Sequence, residues 1–100
     1  NLLLNAGQSI QGLGCIEVSV QREAEQVLVA IRDSGCGIPG EHTEKLFDPF
    51  FTTRENGTGL GLAIVHQLVD LHGGRVKVSS KIGEGTEFVV YMPVQQRSDI

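Results

Sequence analysis

A chain of 100 residues is one domain's worth, since domains run from about 50 to 250 residues, and a second folded unit within it is excluded. Its 40% hydrophobic and 20% charged residues suffice for a core and exclude disorder, and no apolar run approaches the roughly 18 residues of a membrane span. The formal charge of −4, with eight scattered Lys and Arg, argues against nucleic acid or anionic lipid as a partner, and the compositional outlier is glycine, at 13 residues against the roughly 7 of average usage.

Taken in chain order, NLLLNAGQSIQ at residues 1–11 predicts a helix, with Leu2, Leu3, Ala6 and Ile10 at helical spacing and Asn1, Asn5 and Ser9 on a polar stripe. Apolar alternation over 16–20 and 27–31, with a polar stretch from Gln21 to Gln26 between, predicts an antiparallel hairpin. DSGCGIPG then breaks the pattern, followed by a short amphipathic piece, EHTEKLF, and the irregular DPFFTTRENGTG. LGLAIVHQLVDLH predicts the clearest helix, with Leu62, Ile64, Val65, Leu68, Val69 and His72 on its buried face and Gly73 and Gly74 as its stop. Val76 and Val78 pair through KIGEGT with Phe88, Val90 and Met92 in a second hairpin. The expected organisation is one domain over 1–94 and a frayed tail over 95–100, folded as an α+β two-layer sandwich with a mainly antiparallel sheet. A start at Asn1, inside a predicted helix, reads as a piece of something longer, truncated at its N-terminus.

Cys15 and Cys36 stand 21 residues apart without a C-x-x-C pair, and the three histidines are not at ligand spacing from them. Zinc and a disulfide framework are therefore not expected, and a reducing, cytosolic setting is. No basic start followed by an apolar stretch marks a signal peptide.

Three segments could carry chemistry, each with a plainer alternative. Asp33 ends the second strand just before Gly35 and Gly37. Its carboxylate suits the exocyclic amine of adenine and rejects the carbonyl that guanine carries at that position, or it forms an ordinary Asx–Gly turn. Gly57, Gly59 and Gly61 lead into the long helix, where free backbone N–H groups and the helix dipole suit phosphates, or where glycine merely permits close packing. The segment matches neither the G-x-x-x-x-G-K-[ST] nor the G-x-G-x-x-G pattern, so both of those nucleotide folds are disfavoured. Asn5, with Asn1 one turn earlier, offers an amide oxygen to Mg²⁺, an ion that takes few protein ligands, or both are cap or surface residues.

In combination these segments resemble the catalytic and ATP-binding domain of two-component sensor histidine kinases, with the Bergerat fold shared by the GHKL ATPases. NLLLNA resembles the N box, DSGCGIP the first glycine box, LFDPFFTT the F box, GTGLGLAIV the second glycine box and GEGTEF the final glycine-threonine box. The resemblance implies a mixed, mainly antiparallel sheet with helices on one face. It implies Mg²⁺ on Asn5 with Asn1 auxiliary, and adenine held by Asp33 with Gly35, Gly37 and Ile38, assisted by Thr86. It also implies phosphates at Gly57, Thr58, Gly59, Leu60, Gly61 and Leu62. Residues 41–56 would form a short ATP lid anchored by Phe47, Phe50 and Phe51, with Arg54 reaching for phosphate charge as a catalytic residue.

Gln8 stands where many such kinases carry Lys or Arg, and QSI is similar to the nitrogen-regulation type of sensor kinase. Asn1 occupies the place of the water-activating Glu of the related ATPases, and an amide is no base. Slow hydrolysis is implied, with the γ-phosphoryl kept for a histidine on a separate dimerisation domain and passed indirectly to a response regulator. His42, His66 and His72 lack the surroundings of that acceptor. His66 and His72 are expected as partly buried structural residues and His42 as solvated. The rival readings are a GHKL ATPase driving a conformational clamp and an anti-sigma-like protein kinase or binding module. The fragment itself is expected to be cytoplasmic without direct membrane contact, whether or not its parent is membrane-anchored.

Overall fold

The computed structural model describes residues 1–43, 45–48 and 61–94. The expectations for Arg54, Phe50, Phe51, Gly57, Thr58, Gly59, Leu60 and the tail lie outside the described residues. In order, the elements are α1 (Leu2–Ser9), β1 (Ile16–Glu23), β2 (Gln26–Asp33), α2 (Gly40–Thr43), α3 (Gly61–Leu71), β3 (Arg75–Lys81) and β4 (Gly85–Pro93). The strands form a sheet in the order β1-β2-β4-β3, with α1 and α3 on one face. That is the expected two-layer α+β sandwich. Every pairing among the described strands is antiparallel, so the parallel component of the expected mixed sheet has no counterpart among them.

Alternation along β2, β3 and β4 sends Ile31, Val76, Val78, Phe88 and Val90 towards the helices, where Leu2 and Ala6 of α1 and Leu62, Val65 and Val69 of α3 meet them. Phe88, 1% exposed, is the largest fully buried side chain among the described residues. The seam on α3 is narrower than its sequence suggested, because Ile64 and Leu68 are exposed together with Leu71. That helix is apolar on more than one stripe, so periodicity does not decide which stripe packs. His66 and His72 are exposed, not partly buried, and His42 is half-buried, not solvated. The helix ends in a Schellman turn, with Gly74 N–H donating to Val69 O at 2.9 Å and Gly73 N–H to Asp70 O at 3.0 Å. Gly73, at φ +76°, takes the left-handed position that such a turn requires.

The first hairpin is longer than predicted. Gln21, Arg22, Glu23 and Gln26 all lie in the strands, with Glu23 opposite Gln26. Polar side chains do not end a strand that has no buried face, and β1 is exposed along its whole length. The two-residue turn is therefore Ala24 and Glu25, and Ala24 sits at φ +50°.

A Cβ in that region costs roughly 1–2 kcal/mol, partly offset by the extra chain entropy that glycine loses on folding. Ala24→Gly should raise the stability of the domain by about 0.5–1 kcal/mol, read as a higher urea midpoint at unchanged slope.

Candidate functional site

The last residue pair of the β2–β4 ladder is Asp33 opposite Thr86, and Ser80 of β3 lies opposite Thr86 on its other side. All three face the helices, forming a polar row at the end of an otherwise apolar sheet face. Asp33 is 3% exposed and Thr86 4%. Gly35 N–H donates to Asp33 Oδ1 at 2.8 Å, and among the described residues no second donor reaches that carboxylate.

Close backbone approach builds the walls of this row. A Cβ at Gly85, which has φ +119°, would fall on the Asp33 carbonyl oxygen, and one at Gly37, at φ +80°, on the Lys81 carbonyl oxygen. The tip of the second hairpin closes on the DSGCGI turn through Gly83 N–H to Cys36 O at 2.9 Å. Ile38 N–H donates to Ser80 Oγ at 2.7 Å, and Ser80 Oγ lies 2.8 Å from Thr86 Oγ1. The first and last glycine motifs, about 50 residues apart in the chain, thus form one rigid unit around a carboxylate.

Helix α1 connects this unit to the start of α3. At its C-terminal end Ser9 O accepts the Cys36 N–H at 3.2 Å, and at its N-terminal end Asn1 Nδ2–H donates to Gly61 O at 3.2 Å. Asn5, half-buried, lies one turn from each. The predicted stripe of Asn1, Asn5 and Ser9 is the line along which α1 meets both glycine segments. Asn1 is the N-cap residue of α1 but makes no side-chain cap hydrogen bond to it, its amide turning to Gly61 O. Leu62 packs against the core beside Gly61, and Phe47 stands between His66 of α3, with ring centroids 5.5 Å apart, and Phe88 of β4, at 6.2 Å.

Of the predicted site residues within the described range, Asp33, Gly35, Gly37, Ile38 and Thr86 come together at one end, and Asn1 and Gly61 meet at the other. Ser80 and Ser34 were missed. Ser34 fixes the turn by pairing with Cys15 in both directions, at 2.8 and 3.0 Å. A signal for Ser80 did exist, since alternation places it on the same face as Val76 and Val78, a polar residue at an inward position.

Residues 1–96 match the family described as histidine kinase-, DNA gyrase B-, and HSP90-like ATPase. The chain belongs to that family, and the relatives and solved structures it resembles are histidine kinases. It is 45% identical over 94 residues to the sensor histidine kinase ZraS of Escherichia coli O157:H7, covering 94% of this chain and 20% of that protein. It is 39% identical over 100 residues to the signal transduction histidine-protein kinase AtoS of Escherichia coli K12, covering 99% and 16%. Among solved structures, the nucleotide-free catalytic domain of histidine kinase ThkA superposes with a TM-score of 0.81 at 36% identity, covering 92% of this chain and 60% of that one. The mycobacterial sensor histidine kinase MprB gives 0.83 at 32%, covering 92% and 66%. The chain spans about a fifth of the length of the curated relatives it matches.

Since Gly85 combines positive φ with a blocked Cβ position, Gly85→Ala should cost at least about 2 kcal/mol. Gly83→Ala, also at positive φ but with open space around it, should cost about 1 kcal/mol. Parallel thermal melts of the two variants check the difference.

Proposed function

We propose that this domain binds Mg-ATP in the space between α1, the Asp33 row and the start of α3. In the parent protein it would transfer the γ-phosphoryl group to a histidine of a dimerisation domain, from which a response regulator receives it. The observation that carries the binding half is the Asp33 carboxylate, buried to 3% exposure with one N–H donor among the described residues. A buried carboxylate normally needs more partners than one amide. The exocyclic amine of adenine is a fitting second donor, and Thr86 stands beside it. The glycine approaches at Gly35 and Gly37, with Ile38, form the wall against which a flat base would lie.

Asn5 lies between the base end and Gly61, and its amide oxygen is a hard neutral donor suited to Mg²⁺. Among the described residues no three His, Cys, Asp or Glu side chains converge into a metal cage. An ion there would be held by nucleotide phosphates, water and Asn5, with Asn1 auxiliary. Bound Mg²⁺ would neutralise phosphate charge during transfer. The phosphate roles of Arg54, Gly57, Thr58, Gly59 and Leu60 rest on the motif. Those of Gly61 and Leu62 are supported as well by their place at the N-terminus of α3, the positive end of its dipole.

Transfer, as opposed to hydrolysis, is supported by Asn1, whose side-chain amide donates to Gly61 O and offers no base, and by the histidine kinases among the relatives. Gln8, exposed on α1, supports the nitrogen-regulation type. No helix among the described residues is long and apolar enough to cross a membrane, and a cytoplasmic setting fits an ATP consumer.

Asp33→Asn keeps an oxygen for the Gly35 N–H but turns an NH₂ group towards the amine of adenine. ATP affinity should fall about 100-fold, with a melting point unchanged or higher because a buried charge is removed. Unchanged affinity in a titration would refute the base assignment. With γ-labelled ATP, the full-length protein should label a histidine in an acid-labile, base-stable linkage. Label appearing only as released phosphate would replace the kinase reading with the ATPase one.

A further inference from the structure

A carboxylate alone does not define adenine. Guanine, turned to present its N1–H and its 2-amino group, offers Asp33 two donors, and hypoxanthine turned likewise offers one. Discrimination therefore depends on the polar atom beside the carboxylate, which is Thr86 Oγ1. A hydroxyl can donate or accept, so Thr86 discriminates only if its proton is held in one direction.

Ser80 supplies that constraint. Its Oγ has one proton and two lone pairs, and three groups surround it: the Ile38 N–H at 2.7 Å, the Gly85 carbonyl oxygen at 3.1 Å and Thr86 Oγ1 at 2.8 Å. The Ile38 amide can only donate and the Gly85 carbonyl can only accept. All three contacts are satisfied together in a single arrangement, in which Ser80 O–H donates to Gly85 O and Ser80 Oγ accepts from both Ile38 N–H and Thr86 O–H. The Thr86 proton is then committed to Ser80, and only lone pairs of Thr86 Oγ1 face the base. We infer that Ser80 is a positioning residue for base selection, making Thr86 an obligate acceptor beside Asp33 so that the row accepts a 6-amino group and repels a 6-oxo group. This rests on the reading of Asp33 as the base-binding carboxylate. Ser80 itself touches no nucleotide in this scheme and acts through Thr86.

The test uses the intact chain with Mg²⁺, titrated separately with ATP and with ITP, which carries oxygen where ATP carries the amine. Ser80→Ala frees the Thr86 hydroxyl to turn and donate to a 6-oxo group. The preference for ATP over ITP should fall about 5- to 10-fold, the scale of one neutral hydrogen bond, with much of the change on the ITP side. Ser80→Thr, which keeps the hydroxyl, should restore the wild-type ratio. A merely structural role for Ser80 would weaken both nucleotides together and leave the ratio unchanged, and that result would overturn the inference. Should Ser80→Ala not fold, Ser80→Cys keeps the volume with a weakly bonding thiol and is expected to shift the ratio the same way, with an unchanged ratio again overturning the inference. Asp33→Asn separates the two levels. If it leaves ATP binding intact, the base assignment itself is wrong, whereas if it abolishes binding while the Ser80 variants keep the wild-type ratio, the assignment stands and the role of Ser80 does not.

Discussion

Burial of the Asp33 carboxylate is the constraint around which the rest of the domain is arranged. A charge that is 3% exposed would oppose folding by several kcal/mol unless donors surround it, and among the described residues the chain supplies one, from the backbone. The DSGCGI turn folds back so that the Gly35 N–H reaches Oδ1. The second hairpin then approaches closely enough that no side chain fits at Gly37 or Gly85. Backbone donors cost no side-chain entropy and do not reorient, so the carboxylate is held in a fixed geometry before any ligand arrives. Of the 13 glycines, Gly37 and Gly85 are the ones that this approach of two turns to each other requires.

What could be read from the sequence follows the same division. The strands and both longer helices were legible because their apolar spacing repeats over several residues, and the turn at the first glycine motif was legible because Asp followed by spaced glycines is an Asx-turn pattern, which the Gly35 N–H to Asp33 Oδ1 bond forms. Hairpin length was not, since on the exposed β1 polar Gln21 and Arg22 serve as well as apolar residues. The packed stripe of α3 was not, because Ile64 and Leu68 are as apolar as Val65 and Val69 and only the tertiary contact chooses between them. Ser80 escaped because its importance lies in being opposite Thr86 across a hairpin, a fact of register and not of local motif.

Helix α1 gives the two ends of the site a fixed separation. Eight residues at 1.5 Å rise make it about 12 Å long, and both ends are tied, Ser9 to the DSGCGI turn and Asn1 to Gly61. Asn5 at its centre cannot shift relative to either end without breaking one of these bonds. In the proposed reading this places the amide oxygen between base and phosphates by geometry that exists before the nucleotide binds, so the cost of ordering it is met during folding and not during binding.

The identity of residue 1 then has two consequences that reinforce each other. The Asn1 amide donates to Gly61 O at 3.2 Å, a bond that a carboxylate cannot make. A Glu in that place would confront the carbonyl with like charge and also put a negative group at the end of α3 where phosphate is proposed to sit. The substitution that would supply a hydrolytic base would therefore also loosen α1 from α3. In the proposed reading, retention of the phosphoryl group for transfer and the tie between α1 and α3 depend on the same side chain, so a single change at that position that supplied a base would also remove the Asn1–Gly61 bond.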